Sequence, residues 1–497
     1  MQTALSLSGA LPIDLAAHLN GLVDYPYHCL EQTASRTFAL LTPTAADGLG
    51  SGLTGWDTHR RRNAIEAGIT RILGMQKHTG GFGLWDDSDA EEPWLTPYAT
   101  HVLLNAARAG HFVPEQRLAL ALKRLEQRLR RNQVTLHGAT EDPKHLAFAA
   151  KAYAAYVAAQ VKAAPLSALR RLYDQERAFA ASGLPLVHLG LALRLQGDQR
   201  RGGRAVLEGV NLPYSDHYLG DYGSALRDTA LMLTLVKAHG LEDKYLAPLI
   251  GRLADELAAP RCLSTQDHVA LLQAAEVLDT ASSAAWQATW AMGDRSQTLS
   301  GASRLTRSLP AQALAQGVSL TNTGDTALYY ALRSSGYPMA AVAEDSDPVT
   351  LRRTWRRADG RLLTPGTPIR VGDLVVVQIT ATGDRDLDHA LVVDLLPAGL
   401  EIENLNLSQG ESLQTISIAG KSLDHEDFRT PIRYRAYRAD RFVAALPLTR
   451  GVTAHLFYLA RAVTPGSYAV PQVLVEDMYR PSLRAVSAPA PDVMITP

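Results

Sequence analysis

The hydrophobic periodicity of this 497-residue chain changes once, near residue 310, and that change limits the folds it can adopt. Before this point, alanine and leucine recur at i, i+3, i+4 and i+7, the spacing of amphipathic helices. After it, short runs of alternating apolar and polar residues are separated by Gly, Pro and Asp, which is typical of β-strands joined by turns. The sequence therefore predicts a helical N-terminal part and a β-rich C-terminal part.

Five segments carry the helical spacing: YATHVLLNAARAG from residue 98, HLAFAAKAYAAYVAAQ from 145, GLPLVHLGLALRLQG from 183, SALRDTALMLTLVKAHG from 224 and TQDHVALLQAAEVLD from 265. Gly110, Gly197 and Gly240 follow three of them, as expected at helix C-termini. The segments recur roughly every 40 residues, which indicates helical hairpins stacked in an array or a closed ring. We predict an all-helical toroid for residues 1–309.

The β-rich part has two pieces of unequal size. Residues 310–343 contain GVSLTNTGDTALYYALRSSG, which predicts two strands joined by a turn. This piece is too short to bury a core by itself, so it should complete a domain whose other half lies elsewhere. Residues 344–497 hold several further strands at the spacing of an antiparallel sandwich.

Composition and charge argue against several classes of function. The formal net charge is −1, which disfavours a protein that binds nucleic acid or a membrane surface. No stretch is apolar for long enough to span a bilayer. The residues after Met1 lack the basic start and apolar run of a secretory signal, so the chain is expected to carry no targeting signal of its own. Two distant cysteines predict neither a disulfide scaffold nor a metal cage, and no cofactor is expected.

One of these cysteines lies in the segment YPYHCLEQTASR, residues 25–36. Cys29 and Gln32 are three positions apart, which brings their side chains within reach across one helical turn. Loss of ammonia from the Gln32 amide would join its carbonyl carbon to the Cys29 sulfur as an internal thioester. Tyr25 and Tyr27 would then shield this activated acyl group from water. On chemistry alone, a buried and inert cysteine is the commoner explanation of such a spacing.

The residues around this pair resemble the thioester motif of the α-2-macroglobulin and complement family, in its bacterial branch. The helical block is similar to the α/α-toroid thioester domain of that family, and GGFGLWDDSDAEEPWLTPYAT, from residue 80, is similar to its Gly-aromatic turn and following helix. LLPAGLEIEN, DRFVAALPL and HLFYLARAVTPGSYAVPQVLVEDMYRP resemble its C-terminal macroglobulin-like domain. The resemblance covers essentially the whole chain.

This resemblance implies a broad-spectrum protease trap rather than an enzyme. In such a trap a protease cuts a bait segment, the molecule rearranges, and the exposed thioester is used once to acylate a lysine or hydroxyl group of the attacker. The implied partners are target proteases and the upstream macroglobulin and bait domains of the same inhibitor. The implied location is the periplasm, with membrane attachment only through a lipid anchor on the N-terminal part.

The resemblance also assigns roles to single residues. His28 stands where the family motif usually has glycine, whose backbone freedom suits a tight turn. His28 is a possible local base, with a plain substitution as the alternative. His145, at the start of a helix, is a possible acyl acceptor, with a surface histidine as the alternative. Met478, in EDMYRP, is a possible shield of the thioester, with ordinary domain packing as the alternative. Cys262 has Thr265 at the third position after it, so we predict a core thiol.

The implied domain division places the thioester toroid at residues 1–309, the C-terminal half of a split CUB-like β domain at 310–343, and a macroglobulin-like sandwich at 344–497. The first half of the CUB-like domain is expected upstream of Met1. The chain is therefore expected to be the C-terminal portion of an inhibitor, or one subunit of a divided one, and should not trap a protease alone.

Two enzyme classes are alternatives. Terpene cyclases and protein prenyltransferases also have α/α toroids with Gly-aromatic turns, but they need an Asp-rich motif or a zinc site. The acidic cluster WDDSD, residues 85–89, is the only candidate for such a motif. The second alternative is a cysteine acyltransferase or peptidase that pairs Cys29 with a histidine. Steady turnover would distinguish either enzyme from a single-use thioester.

Overall fold

The structure, a computed structural model, describes residues 2–9, 11, 13–23, 27–42, 56–137, 141–215, 217–259, 261–279, 285–292, 295–301, 305–309, 315, 317–336, 340–364, 366–403, 416–418, 420–423 and 425–497. The chain divides into two compact units, Met1–Tyr337 and Pro338–Pro497. Within these residues, no helix has both the length and the apolar character needed to cross a membrane.

Twelve α-helices occur among the described residues, all in the first unit. They are α1 (Leu15–Val23), α2 (Leu30–Leu41), α3 (Thr58–Gly74), α4 (Leu95–Arg108), α5 (Glu115–Arg131), α6 (Pro143–Ala159), α7 (Leu166–Glu176), α8 (Gly183–Leu195), α9 (Gln199–Asn211), α10 (Ala225–Ala238), α11 (Leu246–Ala258) and α12 (Thr265–Asp279).

The even-numbered helices form a closed ring. Helix α2 packs against α4, and α4, α6, α8, α10 and α12 follow one another in order until α12 packs against α2. Each odd-numbered helix packs on one or more members of this ring; α3 packs on α2, for example, and α9 on α8. This arrangement is an α/α toroid, which confirms the predicted fold class of the helical part.

The two sets of helices differ in how much of their surface is apolar. Helices α6 and α8 of the ring are buried on nearly every side. Helix α5, outside the ring, buries one stripe only, Ala121, Leu125, Arg128 and Leu129, at i, i+4, i+7 and i+8. A helix that is apolar all round has to be enclosed by other helices, whereas an amphipathic helix can face water. The distribution of apolar residues in the sequence therefore distinguishes the enclosed helices α6 and α8 from the outer helix α5.

Six strands of the first unit form two antiparallel sheets of three strands. They are β1 (Gln2–Ser8), β2 (Trp286–Met292), β3 (Arg295–Gly301), β4 (Leu305–Leu309), β5 (Val318–Asn322) and β6 (Tyr329–Ser335). The strand orders are β4-β1-β6 and β3-β2-β5. Leu7 of β1 and Trp286 and Trp290 of β2 belong to one buried core, so the two sheets pack as a small sandwich.

This sandwich differs from the sequence prediction in two respects. The change from helix to strand lies between Asp279 and Trp286, not near residue 310. Residues 2–8, predicted as part of the toroid, supply the middle strand of one sheet. Strand β3, RSQTLSG, has Leu299 as its single large apolar residue, so its alternation is weak in the sequence.

The second unit is a β-sandwich, as predicted, and its two five-stranded sheets are antiparallel, while β9 and β21 pair in parallel. Its strands are β7 (Val349–Arg357), β8 (Leu362–Leu363), β9 (Ile369–Arg370), β10 (Leu374–Gly383), β11 (Leu387–Leu395), β12 (Leu400–Glu403), β13 (Ser417–Ile418), β14 (Lys421–Ser422), β15 (Tyr434–Tyr437), β16 (Arg441–Leu448), β17 (Thr453–Ala462), β18 (Gly466–Tyr468), β19 (Val473–Asp477), β20 (Arg480–Val486) and β21 (Val493–Thr496). Its two five-stranded sheets have the orders β12-β17-β10-β7-β8 and β15-β16-β11-β19-β20. Arg353 in the first sheet forms an ion pair with the buried Asp394 in the second sheet. Asp394 also accepts a hydrogen bond from Tyr458 of the first sheet.

Candidate functional site

Cys29 and Gln32 lie together at the start of helix α2. Cys29 is the N-cap residue; the Gln32 N–H donates to its sulfur (3.5 Å), and the Cys29 N–H donates to Gln32 Oε1 (3.3 Å). This reciprocal pattern is a capping box, in which the side chain of the third helical residue folds back to the backbone of the N-cap residue. Both side chains are buried. Ordinary helix-start geometry thus places the sulfur next to the amide.

The Gly-aromatic turn that follows α3 is bonded to the same end of α2. The Leu30 N–H donates to the Leu84 carbonyl oxygen (2.7 Å). Gly83, beside Leu84, has no room for a side chain, because a Cβ there would lie 2.1 Å from the Asp86 carbonyl oxygen. The glycine therefore permits the tight turn that brings this loop to the residue after Cys29.

The acidic cluster of this loop stabilises the turn itself. The Asp86 carboxylate accepts hydrogen bonds from the N–H and the hydroxyl of Ser88, and the Asp89 carboxylate accepts from the Trp85 N–H (2.7 Å). These are Asx-type bonds that close a short loop. The carboxylates of Asp86 and Asp89 are therefore used within the loop, which disfavours the Asp-rich motif that a terpene cyclase needs.

Glu31, between Leu30 and Gln32, ties α2 to α12. Its Oε1 accepts from Ser35 (2.6 Å) and Gln266 (2.8 Å), and its Oε2 accepts from Thr265 (2.6 Å). Burial raises the pKa of Glu31, and the three hydrogen bonds oppose that rise. Sequence reasoning missed this residue. The sequence did contain an indication of its role, because a glutamate at the second position of a buried helix needs hydrogen-bond or charged partners.

Tyr222, on the loop before α10, is a second buried residue that the sequence did not reveal. It is buried, its φ is 60°, and its hydroxyl donates to Glu92 Oε2 (2.9 Å). Its ring packs on Trp94 at 5.7 Å between centroids. Burial raises its pKa well above the ordinary value, and the adjacent Glu92 carboxylate acts in the same direction. A left-handed conformation costs a residue with a side chain about 1–2 kcal/mol.

Arg227 is the centre of a buried charge cluster next to Tyr222. Its guanidinium donates to the Asp221 carboxylate (2.9 Å) and to the Asp228 carboxylate (2.7 Å), and all three side chains are buried. Burial would raise the pKa of Asp221, but the adjacent Arg227 outweighs it and holds the pKa below its ordinary value. Burial raises the pKa of Asp228 in spite of Arg227.

The structure places His145 in this charge cluster and not on the surface. It is fully buried, its backbone N–H donates to the carboxylate of Asp142 (2.9 Å), and its Nδ1 accepts the Ala181 N–H (2.9 Å). The proton of the neutral ring is therefore assigned to Nε2, which lies 3.6 Å from Asp221 Oδ2. The lone pair of Nδ1 is used by the Ala181 N–H, and Nε2 carries the ring proton without reaching a hydrogen-bond partner among the described residues, so neither nitrogen has a lone pair directed at an acyl group in this state.

The other residues of the motif have different exposures. Tyr27 is buried, whereas His28 is exposed. Tyr25 lies outside the described residues.

Two residues predicted further along the chain are placed as follows. Met478 is buried in the turn between β19 and β20, where its N–H donates to the His389 carbonyl oxygen (3.1 Å). The prediction that Cys262 is a core thiol is wrong, because the residue is exposed. It lies in the connection between α11 and α12, and such connections run over the surface.

A cavity of about 40 Å³ lies among the ring helices. Every ring helix contributes at least one lining residue; examples are Phe38, Tyr98, Tyr153, His188, Leu231 and Gln266. Burial lowers the pKa of the lining residue His101 to about 3, so this imidazole is neutral. Within the part of the chain that the structure describes, no three His, Cys, Asp or Glu side chains could hold a metal ion.

Comparison with known proteins identifies the chain's family. Three family models match it in order: the A-macroglobulin TED domain at residues 2–139, the A2MG CUB domain at 284–347 and the bacterial α-2-macroglobulin MG10 domain at 349–482. The structure of native Escherichia coli α-2-macroglobulin from domain MG7 to the C-terminus is 36% identical, with a TM-score of 0.89, and the match covers 100% of this chain and 77% of that one.

The chain belongs to the α-2-macroglobulin family.

Further relatives agree with this assignment. The α-2-macroglobulin of Xylella fastidiosa strain Temecula1 is 40% identical over 99% of this chain, and that of Escherichia coli K12 is 38% identical over 100%. The chain spans about 30% of the length of each of these relatives. Salmonella α-2-macroglobulin reacted with methylamine is 41% identical, with a TM-score of 0.87, over 100% of this chain and 32% of that one.

Family membership confirms the predicted resemblance and fold class. The α-2-macroglobulins are a family of protease inhibitors, so the cyclase, prenyltransferase and cysteine-enzyme alternatives are not favoured. The CUB match begins at residue 284, which agrees with the helix-to-strand change between Asp279 and Trp286. The roles assigned to single residues stay predictions.

Proposed function

We propose that Cys29 and Gln32 form an internal thioester, and that the chain is the reactive part of a protease-trapping α-2-macroglobulin. The observation that carries this proposal is the capping box, in which the sulfur and the amide of a buried pair lie side by side at the start of α2. The sulfur would attack the Gln32 amide carbon, the carbon–nitrogen bond would break, and the nitrogen would leave as ammonia with the thiol proton.

The same geometry would activate the acyl group towards a later nucleophile. The Cys29 N–H already donates to Gln32 Oε1 at 3.3 Å. Negative charge develops on this oxygen when an amine adds to the carbonyl carbon, and a fixed N–H donor stabilises such charge. The positive end of the α2 dipole acts in the same direction. The carbonyl carbon of the thioester would then be strongly electrophilic, and exclusion of water would be what keeps the thioester intact.

Trapping of proteases is proposed from relatives. Trypsin-activated Escherichia coli α-2-macroglobulin is 37% identical to this chain but has a TM-score of 0.53, against 0.89 for the native form. The two forms of that relative therefore differ in structure. We infer that a protease which cuts the inhibitor triggers a rearrangement here also, and that its lysine or hydroxyl groups are then acylated through Gln32.

The wider context is proposed on family grounds. We infer three domains, the thioester toroid, a CUB-like domain and a macroglobulin-like sandwich, with the CUB-like domain formed by residues 2–8 together with the segment from Trp286 to Tyr337. The partners would be target proteases and the other domains of the same inhibitor. The proposed location is the periplasm. Fractionation of the producing cell, with antibody detection, tests this location.

The thioester is tested by intact mass under mild denaturation. We expect native protein to be lighter than its sequence mass by one ammonia, and to show one free thiol, that of Cys262. Methylamine should restore the second thiol and leave a methylamide on Gln32, located by peptide mapping. A native protein of full sequence mass, with Cys29 open to a thiol reagent, would contradict the proposal.

His145 provides a prediction about the choice of nucleophile. If this histidine accepts the acyl group, His145→Ala should shift capture from glycerol to methylamine without preventing thioester formation. The hydrogen bond from the Ala181 N–H to Nδ1 would have to break first, so we expect an effect only after protease activation. Equal incorporation ratios in wild type and variant, before and after activation, would assign His145 a structural role.

Shielding gives a prediction for Met478 and Tyr25. If their side chains keep small amines from the thioester, Met478→Ala and Tyr25→Ala should each speed inactivation by methylamine. The double variant should be less than additive, because one open path already admits the amine. Met494→Ala, at an exposed methionine of the same sandwich, is the matched control. A rate of methylamine inactivation in Met478→Ala equal to that of the wild type would show that Met478 does not shield the thioester.

A further inference from the structure

The first turns of helices α2 and α12 meet where the ring of helices closes. The Thr265 hydroxyl and the Gln266 amide of α12 donate to the Glu31 carboxylate of α2, at 2.6 and 2.8 Å. These contacts join residues that are 234 and 235 positions apart in the sequence. All three side chains are buried, so water cannot replace a bond that is lost. The last helix of the ring is therefore tied to the first through this carboxylate.

The first turn of α12 is itself fixed at several points. The Ser264 N–H donates to the Asp267 carboxylate (2.9 Å), and the Asp267 N–H donates to the Ser264 hydroxyl oxygen (3.2 Å), so this turn has a capping box of its own. The hydroxyl of Ser224, the N-cap residue of α10, also donates to the Asp267 carboxylate. Thr265 and Gln266 thus lie on a turn that is held both internally and by the preceding helix of the ring.

Ser35 joins the same network from one turn further along α2. Its hydroxyl donates to Glu31 at 2.6 Å. A hydroxyl has a single proton, so the Tyr98 hydroxyl, 2.9 Å from the Ser35 oxygen, is the donor in that pair. The Gln266 amide donates to the same oxygen at 3.0 Å. The Glu31 carboxylate is therefore held from α2 and α12 directly, and from α4 through Tyr98.

The beginning of a helix is the part that its own backbone bonds hold least, because the first N–H groups have no intrahelical carbonyl. In α2 the Leu30 N–H donates instead to the Leu84 carbonyl oxygen (2.7 Å), and the Gln32 N–H donates to the Cys29 sulfur (3.5 Å). Sulfur is a weak acceptor, so the second bond restrains the turn only loosely. The anchor at Glu31 lies between these two positions and restrains the turn that carries the Gln32 side chain.

We propose that the bonds from Thr265 and Gln266 to Glu31 position the Cys29–Gln32 pair, so that formation of the thioester depends on closure of the ring by α12. Glu31 is a positioning residue in this proposal, which rests on the proposed thioester.

The affected step is the attack of the Cys29 sulfur on the Gln32 amide carbon. A carbon–sulfur bond forms, the carbon–nitrogen bond breaks, and the nitrogen leaves as ammonia with the thiol proton. The sulfur and the carbon have to be held close together and in line, and a displacement of about 1 Å can slow such a step about 100-fold. A first turn that is free to move holds the pair in this geometry for only part of the time.

This dependence sets the order of events during folding. The residues of α12 follow those of α2 by more than 200 positions, and Glu31 acquires its donors from Thr265 and Gln266 only when α12 has packed against α2. In a chain whose ring is still open, the pair is not positioned. The activated acyl group is therefore made inside a completed toroid, where water is excluded, and not before.

A glutamate elsewhere in the toroid provides a matched control for a purely structural role of Glu31. Glu176, the last residue of α7, accepts a hydrogen bond from Asn132 (2.6 Å) and forms an ion pair with Lys151 of α6. It also ties helices together through a largely buried carboxylate, but these two partners belong to α5 and α6. Loss of its charge should weaken the toroid without moving the start of α2.

The test follows the loss of ammonia while the full chain refolds. Protein isolated unfolded from inclusion bodies is diluted out of denaturant; intact mass at timed intervals gives the rate of thioester formation, and far-UV circular dichroism follows folding. Glu31→Gln places an amide donor opposite the Gln266 amide, and we expect it to slow ammonia loss about 10- to 100-fold. Glu176→Gln should lower the melting temperature but lose ammonia at the wild-type rate.

Two further variants decide the question if Glu31→Gln folds poorly. Thr265→Val removes one donor with little change of shape and should slow ammonia loss about fivefold. The exchange Glu31→Gln with Gln266→Glu again sets a carboxylate against an amide, with their positions reversed. We expect this exchange to bring the rate back to within about threefold of the wild type, as coupled residues in contact should do.

The outcomes separate this inference from the proposed thioester. Wild-type rates of ammonia loss in both Glu31→Gln and Thr265→Val would overturn the inference while leaving the thioester in place. Equal slowing in Glu176→Gln would also overturn it, since the effect would then reflect a general weakening of the toroid. A wild-type chain that folds and never loses ammonia would reject the proposed function and the inference with it. Slow formation in Glu31→Gln that the exchange restores would support both.

Discussion

Cys29→Ala is expected to abolish covalent capture of methylamine and of protease while leaving the toroid folded. Without the sulfur the Gln32 amide is an ordinary, unreactive amide. The structural cost is small: the variant loses one cap hydrogen bond, about 1 kcal/mol, and the volume of one sulfur atom. Such a loss is a fraction of the roughly 5–15 kcal/mol by which domains are stable. Incorporation of radiolabelled methylamine and far-UV circular dichroism measure the two effects.

The second cysteine supplies the matched control. Cys262→Ala removes an exposed thiol, and we expect full methylamine incorporation and an unchanged melting temperature. Gln32→Ala should resemble Cys29→Ala in capture but leave a free thiol at Cys29. Covalent capture that survives in Cys29→Ala would mean that another group carries the chemistry, and the thioester proposal would then be abandoned.

Arg227→Met is expected to destabilise the toroid by about 3–5 kcal/mol, the usual cost of removing one partner of a buried ion pair. Asp221 and Asp228 are buried and depend on this guanidinium for charge compensation. Methionine fills much of the volume of arginine, so the loss is mainly electrostatic. Urea denaturation followed by circular dichroism measures the free energy of unfolding.

The variant should also acquire a characteristic pH dependence. Without Arg227 the folded-state pKa values of both carboxyl groups rise above their unfolded values, so the folded state binds more protons and stability falls as the pH rises. Adding Asp221→Asn and Asp228→Asn should recover part of the loss and flatten this dependence. Arg62→Met, which breaks an exposed pair with Glu66, should cost at most about 1 kcal/mol. Equal losses in Arg62→Met and Arg227→Met would refute the explanation.

Part of the candidate site was predictable because it is local in sequence. Cys29 and Gln32 are neighbours across one turn in any helix that begins there, and the capping box of the structure has that spacing. Glu31 adjoins the pair, but the bonds that make it important come from Thr265 and Gln266 of α12, at the closure of the ring. Tyr222 and Glu92 have no local signal, since their contact depends on the path of two loops.

The fold divides in the same way. Helical and two-fold periodicities report which face of a segment is buried, so they determined the toroid and the C-terminal sandwich. They placed the change from helix to strand near residue 310, whereas it lies between Asp279 and Trp286. They did not determine that Gln2–Ser8 is the middle strand of a sheet whose other strands come from residues 305–335, because that pairing joins the two ends of the first unit. Cys262 is likewise exposed because of the path that the connection between α11 and α12 takes over the surface. The sequence by itself determined most of the elements, the family and the spacing of the Cys29–Gln32 pair, since each depends on residues within a few turns of one another. Only the tertiary structure decided which distant side chains surround that pair, because ring closure and loop paths are set by packing over the whole unit.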